Sequence, residues 1–197
     1  MKTIYDEAWY RKGLRKREVF RDYAEQVYKV FDPCRIVDVG CGSALALEYF
    51  YEHGCDILGL EHSIEAATAV MPDYIAECVV EEDISHWLDG EWEYDKYDIA
   101  LSWAVAEHVG KEFAEGIVEG LTRLSDTVHF SAAPPGQGGR GHINCQTPEW
   151  WEKIFKKHRY VLDPVSTLRW LHPLGKKYGD EKFGRCVRNC ARIYRKK

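Results

Sequence analysis

The chain is expected to be an α/β protein, a doubly wound parallel sheet with helices on both faces, and three observations lead there. Short apolar runs that suit strands covered on both sides recur at residues 35–39, 56–61, 97–103 and 127–133. Segments with helical spacing separate them, which implies right-handed crossovers and a parallel sheet. The first strand stops abruptly at Asp38-Val39-Gly40-Cys41-Gly42, where an acid and two glycines make a tight turn with room for a ligand. Ligands of such sheets bind outside the carboxyl ends of the strands.

The elements follow in order along the chain. Apolar and aromatic residues at helical spacing, Val19, Phe20, Tyr23, Val27, Tyr28, Val30 and Phe31, predict an N-terminal helix over about 5–31, closed by Pro33. A helix is expected at 43–53, ending at Gly54, and another at 64–71, where Ser63 can cap, Glu65 suits the first turn and Pro72 ends the run. A third strand is read at 75–80, running into Glu81-Glu82-Asp83-Ile84. Residues 111–124 carry Phe113, Ile117, Val118, Leu121 and Leu124 at helical spacing. Pro134 through His142 holds too many breakers for regular structure. Thr147-Pro148-Glu149 opens a helix to about 158, since Thr can cap and Pro fits the first turn. Alternation over 186–195 suggests a final half-buried strand.

Length and composition narrow the function. At 197 residues with 45% hydrophobic and 30% charged residues, the chain suits one domain over 1–197 with its own core. A net charge of −5 gives no general attraction to polyanions, so nucleic acid is a poor partner. The basic clusters at 11–17 and 185–197 read as solvated faces, or as contacts for a phosphate-bearing substrate. Seven cysteines without a Cys-x-x-Cys pair argue against a disulfide framework and against a common zinc site, so no metal is expected. With no apolar leader or membrane-length stretch read in the chain, a cytoplasmic protein is expected.

Three acids at successive strand ends, Asp38, Glu61 and Asp83, would line one crevice. Glu61 stands one strand-helix-strand unit after Asp38, where a carboxylate can take both hydroxyls of a ribose. A dinucleotide fingerprint wants a third glycine at position 45, and the chain has Leu45.

With these residues the chain resembles a class I S-adenosylmethionine-dependent methyltransferase. Asp38-Val39-Gly40-Cys41-Gly42 is similar to that family's first motif, Glu61 to its ribose-binding acid, and Asp83-Ile84 to its adenine-binding pair. Ser102 through Val109, with Glu107-His108, is similar to the Glu-His motif of the small-molecule type found in ubiquinone-pathway O-methyltransferases. The resemblance spans roughly residues 30–195. It implies a Rossmann-like, mostly parallel seven-stranded sheet with an antiparallel last strand, the N-terminal helix covering the cofactor side, and S-adenosylmethionine as cofactor. Gly40 and Gly42 would admit the methionine part, Asp38 would face its amino group, and Glu61 would hold the ribose. Asp83 would bond the adenine amino group, Ile84 would pack on the ring, and the Ser102 carbonyl would meet the ammonium. Trp103 departs from the smaller or acidic residue of many relatives. Asn189 resembles an asparagine near the last strand of related enzymes.

The acceptor side is read from two segments. His108 follows Glu107 just beyond the fourth strand, and an imidazole has the right pKa to take a proton from an alcohol nucleophile. The loop 134–146 holds Gln137, Arg140, His142, Asn144 and Gln146, a set suited to a polyhydroxyl or amide-bearing acceptor, with His142 as a second base; it reads equally as a lid ordered by its own hydrogen bonds. Trp9, Tyr10, Trp150, Trp151 and Trp170 are either pocket wall or core. The expected reaction is metal-independent methyl transfer to oxygen of a small molecule or sugar. A nicotinamide-dependent oxidoreductase or epimerase, disfavoured by Leu45, a non-catalytic cofactor-binding module and a nucleic-acid methyltransferase are the alternatives. Oligomeric state is not encoded in any of these features.

Overall fold

The sheet runs β3-β2-β1-β4-β5-β7-β6 in the computed structural model, which describes residues 5–87, 94–179 and 190–197. Its strands are β1 (Arg35–Val39), β2 (Asp56–Glu61), β3 (Val79–Glu81), β4 (Ile99–Trp103), β5 (Thr127–Ser131), β6 (Tyr160–Leu162) and β7 (Arg192–Lys196). All pair in parallel except β7, which lies antiparallel between β5 and β6. The expected sheet is therefore present, antiparallel last strand included. Because the chain moves outward from β1 to β3 and then returns to β4 on the other side of β1, the crevice opens where β1 and β4 end.

Alternation along β1 decides which side chain faces what. Ile36 joins the core under α2 (Arg17–Phe31) and α3 (Leu45–Glu52), while Val37 and Val39 join the core under α6 (Ala114–Leu124) and α7 (Pro148–Lys157). Asp38 has the same parity as Ile36, so it ends the strand on the side of the N-terminal helices.

The single helix expected over 5–31 is two. Asp6 caps α1 (Glu7–Gly13) by accepting from the Trp9 N–H at 2.9 Å, and a 3₁₀ turn at Leu14–Lys16 separates it from α2. Three residues turning about 120° each instead of 100° rotate the buried stripe by roughly 60°. Tyr10 of α1 can then point at the strand ends, while Tyr23, Ala24 and Val27 of α2 pack on the sheet. The helix ends at Asp32, in the left-handed region at φ 46, just before Pro33.

Other boundaries moved for local reasons. The strand expected at 75–80 is a short helix, α5 (Asp73–Ala76), followed by β3, because Pro72-Asp73 starts a helical turn. The helix expected at 64–71 is shorter, α4 (Ile64–Thr68). A 3₁₀ turn at Lys111–Phe113 precedes α6, and Thr147 caps α7 as expected. Neither β6 nor α8 (Pro164–Tyr178) was anticipated; α8 is capped by Asp163 and anchored by Trp170, whose indole N–H donates to the Tyr23 carbonyl at 3.0 Å. The last strand begins at Arg192, later than read, and residues 186–189 of the expected strand, with Asn189, lie outside the described residues. Trp151 and Trp170 are core, while Trp9 is partly exposed.

Candidate active site

The first half of the site is a cradle of backbone around one carboxylate. Gly40 and Gly42 take positive φ of 73° and 59°, and the Gly40 and Cys41 N–H groups donate to the Leu60 carbonyl at 2.7 and 3.1 Å, tying the loop to the end of β2. A side chain at Gly40 would put its Cβ 2.6 Å from Val105, whereas one at Gly42 would meet nothing within 4 Å. The loop is thus packed behind and open in front. Glu61, buried at the end of β2, accepts from the Gly42 N–H at 2.9 Å, the Ser63 N–H at 3.0 Å and the Tyr10 hydroxyl at 3.0 Å. Burial and the adjacent Glu61 charge push the Tyr10 hydroxyl well up, so it remains a donor.

Asp38 is buried beside this cradle, and burial, helped by the Glu61 charge, pushes its carboxyl up to about 7. Two close buried acids call for a positive group between or beside them. Asp83 follows β3 and caps the turn Ile84–His86, accepting from the Ser85 N–H at 3.0 Å and hydroxyl at 2.6 Å. Burial works to raise its pKa, but the Ser85 bonds and neighbouring His62 outweigh it and leave the carboxyl below its usual range. Ile84 is buried in the second core. Ser102 is fully buried in β4, and its hydroxyl has no hydrogen-bond partner among the described residues.

S-Adenosylmethionine fits these features. Glu61 offers a carboxylate to ribose hydroxyls beside a glycine loop that is open at Gly42, and an ammonium beside Asp38 would relieve the acid that burial otherwise pushes toward its protonated form.

The second half is made of titratable side chains. The chain leaves β4 through Ala104, at φ 57, into a 3₁₀ turn Ala106–His108. The Glu107 side chain is 1% exposed. The loop after β5 folds back onto this turn: Ile143 and Asn144 N–H both donate to the Glu107 carbonyl, at 2.9 and 3.0 Å, and the Asn144 amide reaches the Ala106 carbonyl at 3.4 Å. That clamp sets the His142 ring edge-to-face on His108, centroids 4.8 Å apart. His142 Nδ1 lies 3.2 Å from the Gln137 carbonyl, and Tyr5 Oη lies 2.8 Å from His108 Nδ1. Burial lowers the His108 pKa, against a smaller upward pull from the Gly141 carbonyl, so the ring is neutral at pH 7. One carboxylate oxygen of Glu107 and one ring nitrogen from each histidine lie within 4.8 Å of one another.

The structure therefore brings Asp38, Gly40, Gly42 and Glu61 together at β1 and β2, and Glu107, His108 and His142 beyond β4. Of the loop residues, Asn144 ties the loop to the Ala106–His108 turn, Gln146 donates to the Asn144 side chain at 3.1 Å, and Arg140 is exposed. Trp103 lies away from the loop in an aromatic cluster with Phe20, Tyr23 and Trp170, its indole N–H on His129 Nδ1 at 2.6 Å. Tyr5 was not singled out as a site residue, and nothing in its spacing pairs it with His108.

No protein-family model and no curated protein matches the chain. Solved structures do. The chain is similar to a SAM-dependent methyltransferase from Archaeoglobus fulgidus, with TM-score 0.62, 15% identity, and 91% of this chain and 94% of that one covered. It is similar to the O-methyltransferase of a Brevibacillus brevis trans-AT polyketide synthase, crystallised with S-adenosyl-L-homocysteine, with TM-score 0.59, 14% identity, and coverage of 91% and 71%. The (4+2)-cyclase SpnF is also similar, with TM-score 0.57, 14% identity, and coverage of 88% and 80%. The chain has the fold of class I S-adenosylmethionine-dependent methyltransferases.

Proposed function

We propose that this protein binds S-adenosylmethionine and methylates an oxygen of a small molecule or sugar. The observation that carries the reading is the adjacency of two halves: the glycine loop with Glu61 and Asp38, and the Glu107-His108-His142 group beyond β4, the strand paired to β1, with Val105 of that segment packed against Gly40. The cofactor supplies a methyl activated on a sulfonium. Such a transfer is an in-line displacement, so most of the gain comes from holding the acceptor in line, with proton removal added when the nucleophile is a hydroxyl.

Each residue has a role in this reading. Glu61 holds the ribose while Gly42 N–H fixes the carboxylate's orientation. Asp38 turns to its ionised form beside the cofactor's ammonium, Asp83 and Ile84 face the adenine, and Ser102 lends its carbonyl. Tyr5, just before α1, and Tyr10, on it, lie over the two halves and exclude water from them. His108, kept neutral by burial, acts with Glu107 and His142 on the acceptor oxygen. The formal charge of −5 favours a small acceptor over nucleic acid, and no helix among the described residues is long and apolar enough to cross a membrane. We infer one domain working in the cytoplasm.

Calorimetry with S-adenosylhomocysteine tests the cofactor, and methyl release from labelled S-adenosylmethionine over a panel of hydroxylated acceptors tests the reaction. His108→Ala is expected to keep cofactor binding and to lower turnover about 10²–10⁴-fold. Absence of cofactor binding by the wild-type protein would end this reading.

A further inference from the structure

The absence of cysteine pairs led to the expectation of no metal, yet the fold assembles a ligand set of another kind. Two imidazoles and one carboxylate converge beyond β4, and Glu107 is 1% exposed. His108 and His142 are both half-buried and stand edge-to-face, and the backbone clamp from Ile143 and Asn144 to the Glu107 carbonyl fixes their approach.

We propose that Glu107, His108 and His142 form a site for a divalent first-row transition ion, and that this ion activates the acceptor oxygen. Geometry supports closure. With the three ligand atoms all within 4.8 Å of one another, an ion at their centre sits at most about 2.8 Å from each, against bonds of about 2.0–2.2 Å, so shifts under about 1 Å suffice. The donor set favours Zn²⁺ or Mn²⁺ over Ca²⁺ or Mg²⁺, because imidazole is a poor ligand for the harder pair.

The surroundings resemble an outer ligand shell. The Gln137 carbonyl beside His142 Nδ1 and the Tyr5 hydroxyl on His108 Nδ1 can fix ring orientation, as hydrogen-bonded partners of ligating histidines do. The Gly141 carbonyl also engages His108, so ion binding at that nitrogen replaces one of these two contacts. Three protein ligands leave at least one position open for an acceptor oxygen.

The role of the ion rests on the methyl-transfer reading; its binding does not. An acceptor hydroxyl bound to the ion is acidified and gives its proton to solvent. An oxygen lone pair then forms the new O–C bond as the C–S bond breaks, and the C–S bonding pair goes to sulfur, leaving the methyl ether and neutral S-adenosylhomocysteine.

The test is ion binding to tag-free full-length protein stripped with a chelator. Titration with Zn²⁺ and Mn²⁺ by calorimetry, and with Co²⁺ by visible absorption, is expected to show one ion per chain. Glu107→Gln and His142→Ala are each expected to weaken it at least about tenfold, the lower end of what even outer-shell losses cost. Should Glu107→Gln fail to fold, His142→Ala, in a half-buried loop, decides alone, with thermal unfolding as the check. No ion binding, or binding unchanged in His142→Ala, overturns the site. S-Adenosylhomocysteine titrated into the same samples separates the outcomes: cofactor binding without ion binding overturns only the ion, and ion binding without cofactor binding overturns the methyl-transfer reading.

Discussion

The two halves of the rim are built from different materials. Around Glu61 the contacts come from backbone N–H groups of Gly42 and Ser63 and a single tyrosine hydroxyl, all anchored to strand ends. Around His108 they come from side chains carried on a short 3₁₀ turn and a glycine-rich loop, held by backbone bonds between the two. A backbone cradle recognises a constant ligand with little dependence on side-chain identity, whereas a side-chain cluster on loops can change with the acceptor. Solved structures at about 14% identity share the fold, a cyclase among them.

The contrast can be broken most sharply at Glu61. Glu61→Ala is expected to weaken S-adenosylhomocysteine binding about 100-fold, since two hydrogen bonds to a charged group are worth about 3 kcal/mol together. His142→Ala on the other half should leave that affinity within about threefold. Calorimetry on both variants decides; equal losses would mean that the halves are not separable.

A smaller effect concerns pH. Burial raises the folded Asp38 carboxyl to about 7, so near pH 6 it is mostly protonated. A ligand bearing an ammonium prefers the ionised form, so binding releases a proton and affinity rises with pH, by up to about tenfold per unit below 7, flattening above about 8. Asp38→Asn should flatten this dependence. His108 lies on the other half, and its lowered pKa means that it binds a proton more readily in the unfolded chain, so it contributes stability that is lost as pH falls below about 6.5. A pH profile of cofactor affinity that is unchanged in Asp38→Asn would contradict the assignment.

The smallest effect is expected at Tyr10. Its hydroxyl occupies Glu61, the position assigned to ribose hydroxyls, so Tyr10→Phe removes a competitor along with a buried hydrogen bond. Stability should drop by about 1 kcal/mol, read as a lower melting temperature, while cofactor affinity rises or stays level. A loss of affinity would show instead that Tyr10 helps to hold the cofactor.

Much of the half around Glu61 was legible in the sequence as structure. The runs at 35–39 and 56–61 coincide with β1 and β2, because buried parallel strands are continuous apolar runs and the glycines mark the turn. The Thr-Pro-Glu start of α7 was legible for the same kind of reason, a local capping signal. β6 and α8 were not. A three-residue strand has too little pattern to read, and α8 carries Pro173 and owes its place to Trp170 packing on Tyr23. The break between α1 and α2 also escaped, since its phase shift matters only once Glu61 is there for Tyr10 to meet.

Local order in the sequence was enough to place Asp38, Glu61, Asp83 and the Glu107-His108 pair at or just past strand ends, which a parallel sheet gathers on one rim. The rest needed the third dimension. Only the folded chain sets His142 on His108, through two backbone bonds to the Glu107 carbonyl, and lays Tyr5 and Tyr10 over strand ends far along the sequence. Local pattern determines which residues arrive at the rim; long-range hydrogen bonding and packing decide which of them meet, and it is the meeting of Glu107, His108 and His142 that makes a metal site conceivable where cysteine spacing argued for none.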